Sequence, residues 1–138
     1  MNAESHAFSS GDSVTPDIDG AALTQTAEFE ELLSVIARRQ REFEELRHIS
    51  RDVIALMKKA RIFRSATPTR FGGDALAPHH FLKMIDAIAT VDGSAAWVAA
   101  FGSANTYTAA LPVEAQEVMY RDGPDQVFAG GLHPVQEA

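Results

Sequence analysis

Cysteine is absent from the 138-residue sequence. Without a thiol there can be no disulfide framework, no thiolate nucleophile and no thiolate metal site, and the absence fits a reducing compartment. No run approaches the roughly 18 uninterrupted apolar residues of a membrane span, and the N-terminal MNAESHAFSSGDSVTPDIDG has neither the basic start nor the apolar stretch of a leader. A soluble, cytoplasmic protein with no membrane partner is therefore expected. The histidines, His6, His48, His79, His80 and His133, form no HxxxH pair. Adjacent His79 and His80 diverge by about 100° on a helix, so no metal site is expected and the histidines are expected to face solvent. The glycine pairs in FGGD and AGGL match neither GxGxxG nor GxxxxGK[ST], so no phosphate cradle is indicated. Ser94 and Ser103 have no histidine and acid near them in sequence, which leaves hydrolysis without support.

Hydrophobic residues make up 46% of the chain, enough for the core of one domain. The net charge is −7, yet ten of the twelve Lys and Arg fall between Arg38 and Arg70. Such a cluster can be a nucleic-acid footprint. Here Glu42, Glu44, Glu45 and Asp52 are interleaved with it, the pattern of a solvated helix face, and no nucleic-acid partner is expected.

Residues 1–24 lack periodicity and read as a disordered tail, followed by a helical domain over 25–122. From Thr26 to about Arg47, Phe29, Leu32, Leu33 and Ile36 recur at helical spacing, and Phe43 and Leu46 extend the stripe. Ser50 is placed to cap a second helix, with Val53, Ile54 and Met57 inward. ATPTRFGGDALAP has the composition of a fixed loop, in which Gly72 and Gly73 are expected at positive φ. Pro78 opens a third helix whose stripe is Phe81, Met84, Ile85, Ile88 and Ala89. Asp92 can cap a fourth, running to Leu111, and Pro112 starts a fifth. QVFAGGL has strand character but is short. The fold class is all-α, a bundle of about five helices.

The fourth helix, TVDGSAAWVAAFGSANTYTAAL, carries small and hydroxyl residues at nearly every turn and the single tryptophan. Trp97, Phe101 and Asn105 at i, i+4 and i+8 are read as one face. That face could offer Trp97 and Phe101 as apolar walls and Asn105 as a polar contact. Equally, the aromatics could be core, with small residues permitting close helix packing.

The order of motifs is more specific than any one of them. ELRHISRDVIALMKKARIFRSATPTRFGG, a helix, then ATVDGSAAWVAAFGSANTYTAALP resembles the N-terminal helical domain of the acyl-CoA dehydrogenase superfamily. The shared features are an arginine before a capped helix, a helix ending in an aliphatic-Phe-Arg step, a Pro-x-x-aromatic-Gly-Gly loop and a helix beginning Asp-Gly-Ser. DGSAAWV is most similar to the branch of two-component, flavin-dependent monooxygenases that hydroxylate aromatic or polycyclic substrates. The resemblance covers about Glu28 to Ala138.

That resemblance implies a flavin, FMN or FAD, a small-molecule substrate, a flavin reductase partner and a homo-tetramer. It also implies a β-barrel and a C-terminal bundle absent from this sequence, with residues 123–138 as the start of a linker to that barrel. The family's catalytic glutamate lies in the bundle, so no catalytic residue is assigned. Trp97 and Phe101 become candidate cofactor contacts, and Asn105, Ser94, Ser103 and Thr106 candidate substrate contacts. Arg61 departs from the family pattern, which has glycine in a left-handed cap after the second helix, where an arginine bears about 1 kcal/mol of strain. An acyl-CoA dehydrogenase, a related desulfurisation-type oxygenase, a non-catalytic helical interaction module and a truncated remnant remain as alternatives.

Overall fold

A computed structural model describes residues 20–128, which are all helix, turn and loop. The order is α1 (Gly20–Leu23), α2 (Ala27–Leu46), α3 (Arg51–Lys59), a 3-10 turn (Thr69–Phe71), α4 (Pro78–Ala89), α5 (Gly93–Ala100), a 3-10 segment (Phe101–Ala104), α6 (Asn105–Thr108) and α7 (Val113–Met119). The expected all-α class holds. The tail expected over 1–24 lies outside the described residues except at its end, where Gly20–Leu23 is helical and Leu23 packs on the core. Of QVFAGGL, only Gln126–Phe128 is described, and it has no regular secondary structure.

Thr26 starts α2 by accepting a hydrogen bond from the Phe29 amide at 3.3 Å while donating to the Leu23 carbonyl at 3.0 Å. The stripe then buries Phe29, Leu32, Ile36 and Phe43. Each fully buried side chain of this kind contributes about 2 kcal/mol. Leu46, expected in the same stripe, is instead exposed, because the helix ends at Arg47 in a left-handed turn. On α3, Val53 and Met57 are buried and Ile54 is partly so. Ser50 has the backbone of a cap, but its hydroxyl makes no capping bond. On α4, Phe81, Met84 and Ile88 face inward, whereas Ala89 is exposed at the helix end. His80 is buried as well, contrary to the expectation for the histidines, with its ring centroid 3.9 Å from that of His79.

The helix α3 ends with Arg61 donating to the Lys58 carbonyl and Ile62 to that of Met57, both at 3.0 Å, the paired closure of a left-handed cap. Arg61 sits at φ 65, so the strain anticipated from sequence is present. Its guanidinium forms a bidentate pair with Asp74, whose side chain is 1% exposed. Hydrogen bonding to that carboxylate holds the Arg61 pKa above its ordinary value. The pair closes a loop that folds back on itself through Asp74 to Arg64, Ala75 to Thr67 and Leu76 to Ser65 backbone bonds. Gly72 has the expected positive φ, 82°, but Gly73 does not. Gly73 is needed for space, because a Cβ there would lie 2.0 Å from the Thr67 carbonyl oxygen.

Besides Arg61, three arginines of the basic stretch are engaged in ion pairs: Arg39 pairs with Glu42 and Asp52, Arg41 with Glu45, and Arg64 with Asp125. The hydrogen bond from Arg39, ahead of every other cause, lowers the Asp52 pKa to about 2. Among the described residues no helix is long and apolar enough to cross a membrane.

The loop makes two expectations for stability. Arg61→Ala leaves Asp74 buried without its cation and is expected to cost about 3 kcal/mol. Combining Asp74→Ala with Arg61→Gly should recover most of that, since neither an orphan charge nor a strained residue remains. Urea unfolding of the parent chain and these two variants measures both. Gly73→Ala, by contrast, has no room to relax and is expected to cost more than about 3 kcal/mol in the same assay.

Candidate functional site

The segment Gly93–Thr108 is apolar on opposite sides. Asp92 fixes its start by accepting from the Ala95 amide at 2.7 Å. Ala95, Ala99 and Gly102, at i, i+4 and i+7, face inward and are buried. The lack of bulk lets α5 lie close on α4, and it lets Gly102 approach the loop after α3, where a Cβ would sit 2.8 Å from the Ile62 carbonyl oxygen. A helix apolar all round is normally covered all round. This one is not: Trp97 is 71% exposed and Tyr107 76%.

Local winding sets which residues share the outer face. The helix tightens to 3-10 geometry from Phe101 to Ala104. The hydroxyls of Ser103, Thr106 and Thr108 each donate to the carbonyl three residues back, at 2.7, 2.8 and 2.7 Å. At about 100° per residue in an α-helix and about 120° in a 3-10 helix, Asn105 falls about 160° from Trp97 instead of about 80°. The same tightening brings Tyr107 nearly into line with Trp97.

The consequence is a division of roles that the helical spacing alone did not suggest. Trp97 and Phe101 do share a face, edge to face with centroids 6.0 Å apart. Asn105 is turned inward and is 0% exposed. Its amide donates to the Phe63 carbonyl at 2.9 Å, the Gln126 carbonyl at 2.9 Å and the Thr67 hydroxyl at 3.2 Å. Around it, Thr67 donates to the Pro124 carbonyl, and the Thr108 hydroxyl lies 2.9 Å from that of Tyr120, whose ring stacks on Phe71.

The outer face forms a shelf of about 200 Å³, walled by Trp97, Phe101 and Tyr107 and floored by Ala100, Ser103 and Ala104. Tyr107 is the residue that sequence spacing missed, because its place depends on the 3-10 turn. Ser103 borders the shelf with its hydroxyl proton directed to the Ala100 carbonyl. Thr106 is exposed but does not line the shelf, and Ser94 lines a separate, larger cleft that includes Trp97. Among the described residues no group of three or more His, Asp or Glu could hold a metal ion.

No family model matches the sequence. Over 120 residues, 86% of its length, the chain is 47% identical to an indole-3-acetate monooxygenase of Pseudomonas putida. Over 97 residues, 70% of its length, it is 41% identical to an indole-3-acetate monooxygenase of Acinetobacter baumannii. It spans 31% and 25% of those two proteins, less than a third of either. Among solved structures, the 3-HSA hydroxylase of Rhodococcus sp. RHA1 superposes with a TM-score of 0.68 at 27% identity, over 74% of this chain and 28% of that one.

Asn105→Ala is expected to cost about 2 to 4 kcal/mol, since it strands the buried Phe63 carbonyl and removes the donor to the partly buried Gln126 carbonyl. Tyr107→Ala, on the open side, should change stability by less than about 0.5 kcal/mol. Urea midpoints of the two variants distinguish a structural Asn105 from a surface one.

Proposed function

We propose that this chain, a helical domain of the monooxygenase branch of the acyl-CoA dehydrogenase superfamily, supplies one wall of the site where a reduced flavin and a flat aromatic substrate meet. The substrate class is an indole-sized aromatic acid, after the relatives' names. The supporting observation is the shelf itself: exposed Trp97 and Tyr107 with a half-buried Phe101 between them, over Ala100 and Ala104.

Whether a flavin suits these residues divides along the molecule. A planar isoalloxazine ring fits the shelf, because the Ala100 and Ala104 methyl groups let a ring come close to the helix while Trp97 and Tyr107 flank it. The phosphate and adenine parts do not fit here, since the shelf offers no cation and no glycine-rich cradle. FMN and FAD share the ring, so either suits. A bound reduced flavin would supply the electrons for activating dioxygen and inserting one oxygen atom into the aromatic ring. This chain's residues orient the rings by stacking and exclude water from between them. Phe101, held edge to face by Trp97, sets the side wall. Asn105 acts from behind by fixing the helix and makes no substrate contact in this reading. The same reading carries a flavin reductase partner, a homo-tetramer and a cytoplasmic setting.

Titration of the chain with FMN and with FAD, oxidised and reduced, tests this through the emission of the single tryptophan, corrected for inner-filter absorption. Saturable quenching is expected, and Ala104→Leu, which fills the floor, should weaken it by about tenfold or more. A folded chain whose Trp97 emission does not respond to any flavin would make the shelf a surface that meets protein instead.

A further inference from the structure

A second recess, a cleft of about 500 Å³, lies between the last turn of α2 and the first turns of α5, and has only Trp97 in common with the shelf. Phe43, Ile49, Val98 and the Trp97 ring make its apolar surface. Arg47, His48, Ser94 and Glu44 supply its polar groups. Its size lies within the range typical of small-molecule sites.

Arg47 is the outlier. It stands at φ 58, in the left-handed region that costs a non-glycine residue about 1 kcal/mol. The other left-handed arginine, Arg61, uses its side chain in the bidentate pair with Asp74. Arg47 has no such return. Glu44 precedes it by three residues, the spacing of a helical ion pair, but the left-handed turn removes Arg47 from the spiral. No described residue pairs with its guanidinium. A glycine would serve the backbone here without strain. Strain kept at a residue whose side chain is unused within the fold points to a ligand.

His48 adds to the polarity of the same end. Its Nδ1 lies 2.9 Å from the Leu46 carbonyl oxygen, which only accepts, so Nδ1 carries a proton and Nε2 is the edge left for another partner. One fixed cation, opposed by Glu44 on the same cleft, suits a monoanion better than a phosphate dianion. The planar guanidinium fork matches a carboxylate. A tryptophan wall above an aliphatic and phenyl floor suits a flat ring.

We propose that this cleft binds an aromatic carboxylate of the arylacetate class, with its ring against Trp97 and its carboxylate on Arg47, flanked by His48 and Ser94. The site is separate from the shelf and does not depend on flavin binding there.

The test uses the indole N–H resonance of Trp97, the only one of its kind in the chain, in nitrogen-15-labelled protein titrated with indole-3-acetate and with 3-methylindole. Indole-3-acetate is expected to shift it saturably and to bind at least about tenfold tighter than 3-methylindole. Arg47→Gly, which suits the backbone and so preserves the fold, should erase that preference while leaving 3-methylindole unchanged, and Arg47→Lys should retain part of it. Overturning results are no saturable shift, equal affinity for the two compounds, or an unaltered preference in Arg47→Gly, which would put the ligand elsewhere than on Arg47. None of these bears on flavin quenching, so the two sites stand or fall separately.

Discussion

The buried amide of Asn105 joins three parts of the chain that are distant in sequence. Its donors reach the Phe63 carbonyl in the loop after α3 and the Gln126 carbonyl in the segment after α7, while its own backbone belongs to the helical rod. Buried carbonyls need donors, and here one side chain serves both. The Arg64–Asp125 pair and the Thr67 to Pro124 bond reinforce the same junction. The orientation of the rod's outer face therefore depends on contacts made from behind it, and the residues that form the shelf need not hold themselves in place.

Economy of volume explains the rest of the rod. Alanine and glycine on the inner face let it approach both α4 and the Ile62 backbone, and alanine on the outer face leaves room between Trp97 and Tyr107. Bulk is confined to three aromatic positions. A leucine-rich helix could have filled the interior equally well but would have had no shelf on its other side. The rod thus keeps an open apolar face in a chain that spans less than a third of its relatives.

Much of this was legible in the sequence, because amphipathic stripes and capping residues act locally. The α2 stripe, the Asp92 cap and Pro78 at the start of α4 are where their patterns place them. Trp97 and Phe101 as neighbours on one face also follow from spacing. Asn105 was misplaced and Tyr107 overlooked for one reason. A short 3-10 segment changes the angle per residue, and the hydroxyl-to-carbonyl bonds that accompany it are visible only once the chain is folded. Gly73 had a second kind of hidden cause. Its neighbour in space is Thr67 across the loop, so its need for a missing Cβ is tertiary rather than conformational. Arg47 and Arg61 look alike in sequence as helix-end basic residues, and only the placement of Asp74 separates them.

Arg61 and Asp74 also constrain how this sequence can drift over evolutionary time. Either residue is a poor site for a lone substitution, because losing the arginine strands a buried carboxylate and losing the carboxylate leaves a strained arginine without its partner. A lineage with glycine at position 61 has no strained residue there and is free to carry a neutral residue at position 74. The two positions are therefore expected to change together among homologous sequences, glycine at the first accompanying loss of the acid and arginine its retention. The order of replacement is restricted as well, to paths on which the arginine gives way to glycine while Asp74 can still find water or another donor.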